Sequence, residues 1–465
     1  MDVREDSRGL RGPLRSSPGR VLVWLAALIA VSPGVRAQSS GSTSGVGVAT
    51  YRPPGLGVEP PRDRREALEE ELAASLWNLG GLRLDPWLGI RDVIIQEVGS
   101  DRQHSASPGE EGEPTRRDSL DDDTGVVAGA GLRAILPLGQ RVYLSGGLVP
   151  EYVWWQENED RNREQINANL ALDVFLGRLQ LHAGATQDEQ LERPSSERQL
   201  FVSRSRESLT AELELELAPA VYAFGGAQKN DIRSNEADVA ETAFFSQDDR
   251  DEEILAYGVR YRPNTQLVIG LGIEDLTLDF LDPTRDRSAT GESPFLAVTL
   301  AGNRTVLLGR FVWRDLEAEP GSIFGGYDEL SGELAVHRQL GWRTGAELQA
   351  SRDLFFAFDL ESSHFESERL RGGITFDVIE ALELRFFAGT GDDEYFAVSS
   401  DDVHRIDDVT EWGVGLSWNI GGRVTMLVGY TLEDFDSDVP GFDREVDRLH
   451  FGLSLSAFGG RLSVR

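Results

Sequence analysis

The chain has 465 residues, 40% of them hydrophobic, with 50 Gly, no Cys, and 79 Asp+Glu against 46 Lys+Arg for a formal net charge of -33. An acidic excess of this size argues against sequence-independent nucleic-acid binding, which depends on basic patches that neutralise phosphates, and the apolar content is too low for a bundle of transmembrane helices. With no Cys there are no disulfide staples, so stability must come from extensive strand pairing or from the surrounding medium.

Arg4, Arg8, Arg11, Arg15 and Arg20 precede the apolar run Val21 to Val31, and small residues follow at Val35 and Ala37. This pattern predicts a secretory signal peptide over 1–37, cut after Ala37; the run is shorter than the roughly 20 residues of a bilayer-spanning helix. Segment 38–63 is rich in Gly, Ser and Pro and reads as a disordered periplasmic linker. From 64 to 80 the sequence carries helix formers, with Leu68, Leu72 and Leu76 on one stripe and Gly80-Gly81 as the stop, which predicts a short amphipathic helix. Its apolar stripe needs a partner: either the mouth of the following domain or a docked periplasmic protein.

From 81 to 465 the apolar period becomes two. Leu209, Ala211, Leu213, Leu215 and Leu217 alternate with Ser208, Thr210, Glu212, Glu214 and Glu216. The same rhythm sets Leu267, Ile269, Leu271 and Ile273 against Gly270, Gly272 and Glu274, and Trp412, Val414, Leu416, Trp418 and Ile420 against Gly413, Gly415, Ser417 and Asn419. Such alternation is the signature of strands with one buried face.

The connections come in two kinds. Tight turns are predicted at Leu138-Gly139-Gln140, Gly177-Arg178, Ala218-Pro219, Pro263-Asn264, Gly302-Asn303, Leu340-Gly341, Glu380-Ala381 and Gly421-Gly422. Between them lie acidic stretches that read as long loops, among them 99–123, 231–251, 281–293, 391–408 and 434–447. Short turns alternating with long polar loops are what an up-and-down membrane barrel needs. The expected fold is therefore all-β, an antiparallel up-and-down transmembrane β-barrel of about 18 strands, with 16 as the alternative. Trp154 and Trp155, like Phe355, Phe356 and Phe358, fall near predicted strand ends and suit interfacial aromatic girdles.

In such a barrel the apolar rows face lipid and the other parity lines the lumen. That parity assigns to the lumen Glu212, Glu214, Glu216, Glu274, Asp377 and Glu383, with Arg133, Arg260, Arg310 and Arg385. The three glutamates of one strand favour cations mildly, and the arginines oppose them.

The hairpins and acidic connections of the last third, "ALELRFFAGTGDDEYF" and "EWGVGLSWNIGGRVTMLVGYTLEDFDSDVPGFDREVDRLHFGLSLSAF", together with "DPWLGIRDVIIQ" near the start of the barrel, resemble bacterial outer-membrane β-barrel proteins of the porin type. Some members of that group accompany exopolysaccharide secretion. The resemblance implies an outer membrane of the Gram-negative type, contact with its lipid and lipopolysaccharide, insertion by the barrel-assembly machinery, and small hydrophilic solutes or a polysaccharide as cargo. Such barrels usually end on an aromatic residue, whereas this chain continues past Phe458 to Arg465.

No nucleophile, zinc, phosphate or dinucleotide motif is present, so no enzyme activity, cofactor or resident metal is expected. His404, among Asp401, Asp402, Asp407 and Asp408, has the composition of a site but no ligand spacing, and His182 reads as a lone polar lumen residue. The runs Asp121-Asp122-Asp123 and Asp392-Asp393-Glu394 read as solvated loops rather than Ca²⁺ sites. The functional expectation is a porin-like channel, with an exopolysaccharide conduit and a non-conducting surface scaffold as alternatives; a plug made from the 64–79 helix or an infolded loop would favour the scaffold.

Overall fold

The structure is a computed structural model that describes residues 64–75, 77–96, 123–157, 159–192, 202–235, 243–358, 361–398, 402–420, 424–440 and 442–456. The segments read as signal peptide and linker, Leu76, the connection 97–122, the Gly421-Gly422 turn and the tail from Phe458 lie outside the described residues.

A helix, α1 (Arg64–Ala74), leads into a three-residue strand, β1 (Trp77–Leu79), so the segment expected to be helical to residue 80 turns extended three residues past Ala74. Gly80, with φ 74, reverses the chain, and β1 pairs with the start of the first barrel strand. The strands that follow are β2 (Leu82–Gln96), β3 (Asp123–Pro137), β4 (Val142–Trp155), β5 (Arg163–Leu176), β6 (Leu179–Glu192) and β7 (Val202–Ala218). Next come β8 (Val221–Ser234), β9 (Arg250–Tyr261), β10 (Leu267–Phe280), β11 (Ala289–Ala301), β12 (Thr305–Ala318) and β13 (Tyr327–Gln339). The wall is completed by β14 (Thr344–Phe356), β15 (Ser362–Ile379), β16 (Leu382–Ala397), β17 (Val403–Ile420), β18 (Val424–Ser437) and β19 (Arg444–Ser456). Each pairs antiparallel with its sequence neighbours, and β19 closes on β2, giving a sealed barrel of 18 strands. Closure pairs the backbone groups that an open sheet edge would leave facing lipid.

The outer wall is apolar. Leu209, Leu213, Leu215 and Leu217 on β7, Leu255, Tyr257 and Val259 on β9, and Trp412, Trp418 and Ile420 on β17 are all exposed, as a lipid-facing surface must be. The short turns collect at one end, where positive φ at Gly139 (85) and Gly177 (67) lets the chain reverse within a few residues. Trp154, on the outward row, and Trp313 on another strand are exposed toward the opposite end and suit an interfacial belt.

The acidic connections are shorter than their composition suggests. The 391–408 stretch is mostly strand, β16 running to Ala397 and β17 starting at Val403, and the later one loops only between Ser437 and Arg444. A bilayer needs about 9–11 residues of a tilted strand, whereas β15 and β17 have 18 residues each. The extra length continues the hydrogen-bonded ladder beyond the lipid, where charged residues are tolerated in strands.

Three Phe and one Trp of the expected girdles turn inward and correct that reading, Phe355 into the inner-wall cavity. Trp155 is buried beneath the Arg161 guanidinium, which lies 4.2 Å from its ring, and Phe356 and Phe358 are buried too. For Phe356 the cause is a departure from a simple cylinder. β13 and β14 pair only from Gly332↔Arg352 to Gln339↔Gly345, while β14 stays with β15 up to Phe356↔His364 and β15 with β16 up to Ser362↔Ala397. Beyond Arg352 the β14–β15 end therefore leaves β13 and laps inside the wall. Its outward row meets the inward row of β10 and the β12–β13 connection: Phe356 lies edge-on to Phe280 at 4.7 Å, and His364 to Phe324 at 4.8 Å. Ser362 to Ser367 are consecutively buried, a pattern that alternation between lipid and water cannot give.

Candidate functional site

The ten residues read as lumen-lining share the parity opposite the exposed apolar rows. Most are bound in pairs. Glu214 is held by Arg260 on β9; Glu274 accepts from Arg310 Nη2 at 2.6 Å; Arg385 Nε donates to Glu347 on β14 at 2.8 Å. Arg133 reaches Glu71 of α1 at 2.5 Å. Glu212 lies 3.6 Å from Arg64 of α1. Asp377 and Glu383 stand directly opposite one another near the short-turn end. Glu216 faces Tyr222 and has no ion pair among the described residues.

This pairing changes what the charges do. Glu214 and Arg260, like Glu274 and Arg310, are buried, so their fields largely cancel locally instead of reaching the bore. The glutamate row thus contributes less net field than three free carboxylates would. Long-range pairing also employs residues outside the ten. Arg371 on β15 donates Nε to Glu411 on β17 at 2.7 Å, across Gly389 on β16, which is opposite both. A Cβ at Gly389 would overlap the Glu411 side chain, so the glycine makes room for the pair. Glu411 was legible by the rule that placed the others, since it shares its parity with Gly413 and Gly415.

The helix α1 occupies the lumen at the short-turn end. Leu68 packs with Tyr143 and Phe175, with Leu72 alongside, and Arg64 Nε binds Asp173 at 2.5 Å. Asp173 also meets His182 Nδ1 at 2.9 Å, and His182 Nε2 lies 3.1 Å from Arg64. Asp173, His182 and Glu212 are opposite one another on three adjacent strands, so His182 belongs to the socket of the helix. At its C-terminal end Ser75 Oγ donates to Asp85 at 3.0 Å.

The long-connection end is also narrowed. Arg287 crosses it, donating to the Ala357 carbonyl at 2.8 Å and the Gln247 carbonyl at 2.9 Å, and Arg285 donates to the Ser362 carbonyl at 2.8 Å. Two connections, β8–β9 and β10–β11, are thereby tied to the lapped hairpin. His404 sits on the outer side of this region with Nε2 3.2 Å from Ser362 Oγ. Asp393 and Asp407, read as loop acids, are buried on the inner wall against Arg369 at 2.8 Å and Arg444 at 2.8 Å. Among the described residues no three His, Cys, Asp or Glu side chains gather as a metal site.

Below the lapped hairpin a cavity of about 180 Å³ opens on the inner wall between β12 and β18, with Arg310, Arg314, Asp353, Phe355, Glu411 and Phe435 in its lining. Its wall mixes both signs of charge with apolar surface, which suits a polar solute with an apolar part.

No protein-family model matches the chain, and no curated protein matches it. Among solved structures the barrel is similar to OccAB3 of Acinetobacter baumannii, at 9% identity and TM-score 0.48 over 81% of this chain and 99% of that one. It is similar to the outer membrane protein opdK of Pseudomonas aeruginosa, at 11% and 0.47 over 81% and 98%, and to a bacterial polysaccharide outer membrane secretin, at 10% and 0.35 over 82% and 99%. These are likenesses of one barrel to another; the chain's own geometry is a closed barrel with an apolar outer wall and a charged, polar inner one.

Proposed function

We propose that the protein is an outer-membrane channel for the passive passage of small hydrophilic solutes. The observation that carries this reading is the division of the wall into apolar outward rows and inward rows of Arg–Glu pairs, Ser, Gln and Gly around a cavity. A barrel of about 16–18 strands is wide enough to enclose water, and paired charges of both signs hydrate a bore without binding one ion tightly.

A second reading, a barrel that conducts nothing at rest, is favoured by the helix α1 at one end and the lapped β14–β15 hairpin at the other. Export of a bulky polysaccharide would require both to move. The deciding experiment is single-channel recording in planar bilayers from the chain after residue 37, with and without residues 38–80. Discrete conductance from the whole chain supports the channel. Conductance only after removal makes the helix a plug. Silence from both, with folding confirmed by resistance to proteolysis, sinks the channel and leaves the scaffold.

A further inference from the structure

Arg314 sets the problem. It is fully buried on β12, it lines the 180 Å³ cavity, and among the described residues Nε, Nη1 and Nη2 have no hydrogen-bond partner. The nearest carboxylates, Glu274 and Asp353, stand off at 3.8 Å and 3.7 Å, beyond hydrogen-bonding distance. A buried guanidinium with unmet donors is costly; its neighbour Arg310 at least bonds Glu274 through Nη2 at 2.6 Å, whereas Arg314 makes no such bond among the described residues. Asp353 spends Oδ1 on the Leu354 amide at 2.9 Å, and its side chain is 36% exposed.

We propose that this cavity binds a small zwitterion, a free α-amino acid, whose carboxylate accepts from Arg314 and whose ammonium donates to Asp353. The inference rests on the channel reading, since it names a solute that would bind inside the bore. The adjacency of the two groups is what selects the ligand. A simple carboxylate would satisfy Arg314 but set a second negative charge beside Asp353, Glu274 being already paired with Arg310. A simple amine would satisfy Asp353 but lie against Arg314. Only a ligand carrying both charges a few ångströms apart meets both without repulsion. The cavity would hold about six waters at ~30 Å³ each, and Val312, Phe355 and Phe435 in its lining favour an aliphatic side chain over a charged one.

The test is calorimetry on the whole protein in detergent micelles with three probes of one shape: L-leucine, 4-methylpentanoate and isoamylamine. Leucine is expected to bind, and each single-charge analogue to bind at least about tenfold more weakly, the scale of a lost charged hydrogen bond. Arg314→Gln should abolish leucine binding, and Asp353→Asn should erase the preference for leucine over 4-methylpentanoate. Should the Arg314 variant not fold, the Asp353 variant at a partly exposed position decides. Equal binding of leucine and 4-methylpentanoate to the unaltered protein would overturn the zwitterion in favour of a plain anion site, and absence of binding by any probe would overturn the site. Conductance measured on the same preparation separates the two readings. Leucine binding without conductance would sink the channel and keep the site, and conductance without binding would do the reverse.

Discussion

Tyr327 Oη donates to Glu366 at 3.1 Å from the opposite side of an unpaired seam: Tyr327 is on the inward row of β13, Glu366 on the outward row of β15. An outward row can meet an inward row only if one sheet passes inside the other. This bond therefore holds the lapped hairpin shut, together with the contact of Arg352 on β14 with Glu329 on β13 at 3.4 Å. Tyr327→Phe keeps the ring and removes the donor, which should cost about 1.5–3 kcal/mol for a bond to a charged acceptor. The hairpin should then leave its lapped position more often, and single-channel records should show longer open dwell times. Dwell times unchanged in a folded variant would mean that the lap does not control passage.

The helix α1 is held in the lumen mainly by polar contacts. Leu68 supplies one small apolar cluster, whereas Arg64 engages Asp173, His182 and Glu212 together. Arg64→Ala should release the helix and raise conductance toward that of the chain lacking residues 38–80. Because Arg64 is partly exposed, high salt should weaken the same contacts in the unaltered protein, so the difference between its records and those of the Arg64→Ala variant should shrink as salt rises. A conductance that Arg64→Ala leaves unchanged at low salt would mean that the apolar cluster alone seats the helix.

The turns and the outer wall were legible because each rests on local chemistry: Gly, Pro and Asn at reversals, and alternation along β7 or β17. The lapped hairpin was not, because Phe355-Phe356 followed by "SSHFES" carries no local sign of which sheet covers it. The outward row of β15 continues from Ile374 through Leu370 to Glu366 and His364 without breaking parity, and only the missing pairing to β13 turns it inward. The acidic stretches misled for a related reason. Asp393 and Asp407 are matched by Arg369 and Arg444 from other strands, partners that linear charge runs do not reveal. Parity identified which face Glu214 and Arg260 share, but not that they neutralise one another.

Gly389 separates Arg371 from Glu411 by one strand and leaves no side chain between them. Gly389→Val would force Glu411 aside and leave the guanidinium without its bidentate partner. Breaking a buried pair from one side costs about 3–5 kcal/mol; partial exposure of Arg371 puts this case at the low end. Urea unfolding in lipid vesicles should show the loss as a lower midpoint. Glu411→Gln at unchanged Gly389 should cost less, since one acceptor oxygen remains. A Gly389→Val variant as stable as the parent would mean that the pair tolerates displacement.

Asp249 lies just before β9, outside the membrane-spanning strands, and accepts the Ser234 amide at 2.7 Å. Burial pushes its carboxyl up to about 6, against the pull of that amide and of Arg204. An acid whose folded value lies above its unfolded one binds its proton more tightly when folded. It therefore costs stability above pH 6, and the cost disappears as pH falls from about 6 toward 4. The side chain is partly exposed, so solvent screening reduces the effect. Asp249→Asn keeps an oxygen for the Ser234 amide and removes the charge. Its thermal midpoint should exceed that of the parent at pH 8, and the gap should close by pH 4.5. A gap that persists unchanged across that range would show that the carboxylate is solvated and that its burial does not set the titration.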